Sequence, residues 1–187
     1  QDVELVLTEM LKGHYESDNR YLLEAEVYRN DQIIGTGSAL NDVVVNRSGI
    51  SGMLELTVRV NGQFMYNQRS DGLIVATPTG STAYAFSAGG PVLWPEIDAL
   101  VLLPISAHAL FSRPMVVSPK SEIIVDIESS DALLSSDSLR KFKLQLGDRV
   151  LITRDSSLIK LSHIKPTLFT DRLVAKFKLP VEGWRGE

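Results

Sequence analysis

Residues 53–91 read MLELTVRVNGQFMYNQRSDGLIVATPTGSTAYAFSAGGP. Met53 to Val60 and Phe64 to Gln68 are short runs rich in β-branched and aromatic residues. Asn61-Gly62 lies between them and supplies the backbone freedom of a two-residue hairpin. Leu73 to Ala76 is a third, wholly apolar run, and Pro78 must end it because proline cannot donate to a sheet ladder. Thr79, Gly80, Ser81 and Thr82 then form a hydroxyl-rich turn. Ala83 to Ala88 has room for one or two helical turns before Gly89-Gly90-Pro91 stops them. The hydroxyls have two readings. They cap the helix, or with its unpaired N–H groups they suit the phosphates or ribose of a nucleotide.

Working outward, the strand pattern continues on both sides. Tyr21 to Tyr28 and Ile33 to Val45 precede the stretch, with Asn30-Asp31 as a turn between them. Ala99 to Leu103, Met115 to Val117, Glu122 to Ile127, Leu139 to Leu144, Arg149 to Thr153 and Leu158 to Ser162 follow it. Ser129 to Ser138, rich in Ser and Asp, reads as a loop or hairpin tip. Asp2 to Lys12 presents Val3, Val6, Leu7, Met10 and Leu11 as the apolar face of a helix stopped by Gly13. Thr170 to Lys178 reads as an amphipathic helix capped by Thr170 or Asp171. No repeat or long linker divides the 187 residues. The expected fold is mainly β, an antiparallel sandwich-like domain with few short helices and one helix near each end.

Composition narrows the function classes. A chain that is 44% hydrophobic and 22% charged can bury a sizeable core, which excludes disordered and fibrous classes. Nineteen basic against 23 acidic side chains give a net charge of −4, and no Lys/Arg block suggests a nucleic-acid footprint. The longest apolar run, Ala99 to Ile105, is too short to span a bilayer, and no charged-then-apolar leader stands at Gln1. A soluble protein without membrane association is expected. The absence of cysteine removes disulfides, Cys-type zinc sites and thiol nucleophiles, and is compatible with a reducing cytoplasm.

Several side chains could carry chemistry. Asn41 and Asp42 place an amide beside a carboxylate. Such a pair can read an adenine edge or hold ribose hydroxyls, and equally forms an ordinary polar strand end. Arg69 and Asp71 flank Ser70 as an opposite-charge pair, most simply a solvated one. Tyr84 offers a stacking plane or a core side chain. A hydrolase triad of Ser81, His108 and Asp71 gains no support from spacing, because Gly80 immediately precedes Ser81 and no Gly-x-Ser-x-Gly elbow exists.

The wording of these segments resembles one family. DGLIVATPTGSTAY at 71–84 followed by SAGGP at 87–91 resembles the substrate-binding signature of bacterial NAD kinases, which phosphorylate NAD to NADP. AlaLeuAsnAsp at 39–42, ProIleSerAlaHisAlaLeuPheSerArgPro at 104–114 and PheThrAspArgLeuValAlaLysPheLysLeuPro at 169–180 resemble further family segments in the family's order. The resemblance implies that Asn41, Asp42, Thr82, Ala83, Tyr84 and Ser87 bind NAD, and that Arg69 and Asp71 reach the pocket of an adjacent subunit in a homo-oligomer, a dimer or tetramer. It implies ATP or polyphosphate as donor, with a divalent metal such as Mg²⁺, and a cytoplasmic enzyme.

Three departures matter. Asp42 stands where the family usually has Glu, one methylene longer. Asp137 resembles the Asp of a later family loop, but Leu139 replaces a Gln found in some members, and neither is placed in the site. The family's Gly-Gly-Asp-Gly loop, which grips the donor and activates the acceptor hydroxyl, occurs nowhere; the only Gly-Gly is Gly89-Gly90, before Pro91. The resemblance thus implies that residues 1–187 are a dinucleotide-binding β domain without the amino-terminal α/β domain, with no catalytic or metal-binding residue of its own and no activity alone. Alternatives at this stage are a non-catalytic NAD(P)-binding module, an oligomerisation module, or a domain of a fold-related lipid kinase such as a diacylglycerol kinase. The last would call for an apolar acceptor pocket in place of Asn41, Asp42 and Tyr84.

Overall fold

The computed structural model describes residues 3–49, 52–107, 112–129, 132–164 and 168–179. The elements are α1 (Val3–Leu11), β1 (Glu16–Arg29), β2 (Gln32–Ala39), β3 (Asp42–Arg47), β4 (Leu54–Val60), β5 (Gln63–Ser70) and β6 (Gly72–Ala76). A 3-10 turn (Gly80–Thr82) and α2 (Tyr84–Ser87) come next, then β7 (Leu100–Ile105), β8 (Met115–Val117), β9 (Ile123–Ile127), β10 (Ala132–Ser136), β11 (Arg140–Leu144), β12 (Arg149–His163) and α3 (Phe169–Phe177). The strands form two six-stranded sheets. One has the order β2-β1-β12-β9-β4-β5, the other β11-β10-β3-β6-β7-β8.

Chain contacts divide into two units, residues 1–19 with 160–187, and residues 20–159. The first unit contains α1 and α3, neither of which has a fully buried side chain among the described residues. Glu9 on α1 holds Lys12 and His14 at 3.1 and 2.9 Å, and these hydrogen bonds lower its pKa below the ordinary carboxylate value. The start of α3 differs from the expected one. Its cap position is Leu168, with no side-chain hydrogen bond, and Asp171 lies inside the first turn, where its charge favours the helix N-terminus.

The second unit is a sandwich, and burial explains its sequence. Leu23, Ala25 and Val27 of β1, Leu56 and Val58 of β4, and Ile123, Val125 and Ile127 of β9 face Val43, Val45, Leu73, Val75, Leu100 and Leu102 of the other sheet in the main core. Sheet β2-β1-β12-β9-β4-β5 is buried on one face, so β9 alternates between buried and half-buried residues. In the other sheet the central strands β3, β6 and β7 are buried on both faces. Val44, Ile74, Ala76, Val101 and Leu103 form a second core on its far side with Ala85 of α2 and Leu93. Leu73-Ile74-Val75-Ala76 is continuously apolar for that reason.

The hairpins at Asn30-Asp31 and Asn61-Gly62 form as expected, with all four residues at positive φ. Three expectations needed correction. Ile33 to Val45 is two strands, because the chain leaves one sheet after Ala39 and enters the other at Asp42. Arg149 to Thr153 and Leu158 to Ser162 are one strand, β12, because the polar residues between them continue the ladder along its exposed part. Ser129 to Ser138 is not wholly a loop. Ala132–Ser136 pairs with both β3 and β11, and the small Ser136 fits because Gly37 of β2 packs against it; a Cβ on Gly37 would stand 2.9 Å from the Ser136 hydroxyl.

Candidate functional site

The corner between β2 and β3 is the most heavily tied piece of backbone bearing expected site residues. Leu40 and Asn41 bridge the two sheets, and the Asp137 carboxylate, from the β10–β11 turn, accepts the backbone N–H groups of Leu40, Asn41 and Asp42 at 2.7, 2.8 and 3.2 Å. On the other side, Thr77 donates its hydroxyl to the Leu40 carbonyl at 2.6 Å and its N–H to the Asn41 carbonyl at 2.9 Å. The same Thr77 hydroxyl accepts the N–H of Gly80 at 3.1 Å. Gly80 lies so close to the Asn41 backbone that a Cβ there would overlap the Asn41 carbonyl. The close approach, rather than an unusual φ, is what requires glycine at this position.

Two hydroxyls of the 77–82 turn, those of Thr77 and Ser81, are engaged by the fold, and not as helix caps. Neither the 3-10 turn nor α2 has a side-chain cap. Ser81 is fully buried, donates to the Pro78 carbonyl at 2.7 Å and accepts the Leu93 N–H at 3.0 Å, so its hydroxyl is committed to the fold. A nucleophilic Ser81 has no place here, and His108, its suggested base, falls outside the described residues. Thr77 was the missed residue. Its position between the apolar strand and Pro78 marked it only as a strand end, and its partners lie 36 and 37 residues away.

This packing leaves the candidate residues at different depths, with Tyr84 and Ser87 exposed, Asn41, Thr82 and Ala83 half-buried and Asp42 buried. The Asn41 side-chain amide has no partner among the described residues. Tyr84 is 44% exposed. Asp42 is 3% exposed. Burial first, and the negative charge of Asp137 second, raise its pKa from 3.8 to about 6. A carboxyl raised in this way contributes stability that is complete below 3.8 and lost as pH rises through about 6. Asp42→Asn is accordingly expected to melt higher than the parent above pH 6, by at most about 3 kcal/mol of stability, with the gap closing as pH falls toward 4. Thermal melts across that range check it; a gap independent of pH would mean that the Asp42 charge is not the strained element.

Arg69 and Asp71 lie elsewhere in the chain's own fold. Asp71 is the single residue that carries the chain from β5 to β6 and so from one sheet to the other. Asp71 pairs with Arg47 at 3.1 Å and Arg69 with Glu55 at 3.4 Å, so the two do not pair with one another. Both pairs are well exposed. The five-residue β6 separates Asp71 from Thr77, roughly 17 Å of strand. The structure thus brings Asn41 and Asp42 against the turn that leads to Thr82, Ala83, Tyr84 and Ser87, and sets Arg69 and Asp71 at the far end of the intervening strand. A cleft of about 380 Å³ lined by Tyr28, Asp31 and Arg149 contains none of these eight residues. Among the described residues no three His, Asp or Glu side chains gather as a metal site, and no helix is long and apolar enough to cross a membrane.

Comparison with known proteins follows the same segments. Residues 40–164 match the ATP-NAD kinase C-terminal domain family. Among curated relatives, the NAD kinase of Ralstonia nicotianae is 52% identical over 164 residues, which is 87% of this chain and 54% of the relative. NAD kinase 2 of Streptomyces coelicolor is 43% identical over 187 residues, 99% of this chain and 62% of the relative. The chain thus spans between about half and three fifths of the length of these proteins. A crystal structure of yeast NADH kinase complexed with NADH superimposes with a TM-score of 0.90 at 26% identity, covering all of this chain and 55% of that one. An NAD kinase from Archaeoglobus fulgidus in complex with ATP gives 0.77 at 27% identity, covering 95% of this chain and 66% of the other. With its two antiparallel sheets, its tied corner at Asn41 and a family match over residues 40–164, this chain belongs to the NAD kinase family, as its C-terminal domain.

Proposed function

We propose that this chain is the acceptor half of an enzyme that transfers the terminal phosphoryl group of ATP, or of polyphosphate, to the adenosine 2′-hydroxyl of NAD. The observation that carries the reading is the tie between two motifs distant in sequence. Thr77 and Gly80 lock the backbone of Asn41, so that its free amide and the Asp42 carboxylate share a corner with the segment leading to Tyr84. Asn41 can both donate to and accept from ribose or adenine, Asp42 can accept hydrogen bonds from hydroxyls, and Tyr84 offers a face for a ring. The complexes of relatives with NADH and with ATP support a dinucleotide acceptor and a nucleotide donor.

The contribution of this half is positioning. Phosphoryl transfer asks the protein mainly to align acceptor and donor and to neutralise charge, and a fixed acceptor hydroxyl supplies the first. The divalent metal and the general base are assigned to a donor domain outside residues 1–187, because the family's Gly-Gly-Asp-Gly loop does not occur in this sequence. Arg69 and Asp71 are assigned to a neighbouring subunit's pocket in a homo-oligomer. The cytoplasm, where both substrates are available, is the proposed location.

The test is direct. The full-length protein incubated with NAD, ATP and Mg²⁺ is expected to form NADP, and residues 1–187 alone are expected to form none. In the full-length protein Asn41→Ala should weaken NAD by about 1 to 3 kcal/mol through lost hydrogen bonds. NADP formation by residues 1–187 alone would place the base within this chain, and an unaltered KM for NAD in the Asn41 variant would remove that residue from the site.

A further inference from the structure

The turn between β10 and β11 holds two consecutive non-glycine residues in the left-handed region, Asp137 at φ 49° and Ser138 at φ 60°. L-residues visit that region at a cost, and Asp is among the few that tolerate it. What Asp137 gains there is a carboxylate aimed back at the neighbouring strand. One oxygen accepts the Leu40 N–H at 2.7 Å; the other accepts the Asn41 and Asp42 N–H groups at 2.8 and 3.2 Å. Its own N–H closes the ring by donating to the Asp42 carbonyl at 3.0 Å.

Three successive N–H groups converging on one carboxylate form a charged clamp, and charge-assisted hydrogen bonds of this kind are about twice as strong as neutral ones. The clamp works from the opposite side to Thr77, which holds the carbonyls of Leu40 and Asn41. With N–H groups and carbonyls both taken, the backbone at 40–42 has one conformation, and the directions of the Asn41 and Asp42 side chains follow from it. A turn supporting only its own hairpin would not need this contact. β10 already pairs with β3 from Ala132 to Ser136, and Leu139 N–H already closes the turn on the Ser136 carbonyl at 3.1 Å.

We propose that Asp137 is a positioning residue for the acceptor, one that touches no substrate, presents Asn41 and Asp42 to it through their backbone, and maintains a negative charge beside Asp42. The proposal rests on the acceptor-site reading above. It is supported by the electrostatics of Asp42, whose raised pKa has Asp137 as its one charged cause, burial being the other. Removing that charge should make Asp42 give up its proton at lower pH.

The test uses the full-length protein with Asp137→Asn, which removes the charge and turns an N–H donor toward the three N–H groups. Its KM for NAD should rise about tenfold or more while its KM for ATP stays within about twofold, since the donor is held elsewhere. The acid limb of the NAD affinity profile should move to lower pH. Amide hydrogen exchange at residues 40–42 should accelerate. A folded variant with unaltered NAD KM and an unmoved acid limb would overturn the proposal while leaving the kinase reading intact. A wild-type protein that neither binds NAD nor forms NADP would sink the kinase reading, and this proposal with it.

Should Asp137→Asn fail to fold, Asp137→Glu keeps the charge with a longer reach. It is expected to fold, to exchange faster at 40–42 and to recover NAD affinity only in part. Wild-type NAD affinity in that variant, despite lost protection of the three amides, would show that the clamp does not position the site.

Discussion

Gly80→Ala is expected to destabilise the protein by about 3 kcal/mol and, if the proposed acceptor role holds, to raise the KM for NAD by more than tenfold in the full-length protein. Two opposite effects compete at any glycine. Removing its freedom in the unfolded chain stabilises by roughly 0.4 to 1 kcal/mol where the new side chain fits. Here it does not fit, since the added Cβ would overlap the carbonyl oxygen of Asn41 and lie 2.7 Å from its Cα. Backbone cannot rotate aside as a side chain can. That backbone is held by Thr77 on one side and Asp137 on the other, so relief requires breaking at least one of those hydrogen bonds. The steric effect wins. For a chain of this length the melting point should drop by roughly 6 to 12 °C. Because the displaced atoms belong to Asn41, the acceptor should be lost before the fold. Wild-type melting together with wild-type NAD kinetics would show that the two segments can part freely and that the corner is not a rigid unit.

The segments most legible in the sequence are those whose environment is uniform along their length. Leu73 to Ala76 was readable as a strand because both its faces are buried, and Met53 to Val60 because Asn61-Gly62 fixes the turn beside it. Ile33 to Val45 misled for a physical reason: a strand that leaves one sheet and joins another keeps its β-branched composition across the corner, and only tertiary pairing marks the break. Ala132 to Ser136 misled in the opposite sense. Its serines suggest a loop, yet Ser135 and Ser136 are buried, and the latter is small because Gly37 comes close.

The site divides along the same line. The candidate acceptor residues, Asn41, Asp42, Thr82, Ala83, Tyr84 and Ser87, stand in two motifs, and the family resemblance could order them. Their supports were not visible. Thr77, Gly80 and Asp137 act through backbone atoms, which carry no mark in the sequence of the residue they hold, and from Asp137 the partners are 95 to 97 residues away. Of four hydroxyl-bearing residues between 77 and 82, local chemistry could not mark Thr77 and Ser81 as the ones whose hydroxyls hold the backbone of distant residues.

On the shared-pocket proposal, mixing two impaired full-length proteins, Asn41→Ala and Asp71→Ala, is expected to raise activity above that of either alone at an NAD concentration where both are nearly silent. Within one subunit Asp71 stands at the opposite end of β6 from the corner that holds Asn41, roughly a strand's length of 17 Å away. Asp71 and Arg69 also occupy exposed ion pairs with Arg47 and Glu55. Such pairs are worth little, about 0 to 1 kcal/mol, and could be exchanged for contacts with a neighbour's ligand at small cost. If each pocket takes Asn41 from one subunit and Asp71 from the other, a mixed pair has one undamaged pocket and one doubly damaged. Random re-association makes half of the pairs mixed, so activity should return to about a quarter of the wild-type value. Size measurement of the mixture decides what a negative result means. Mixed oligomers without rescue would place each pocket within a single subunit, and a monomeric full-length protein with normal activity would remove Arg69 and Asp71 from any shared site.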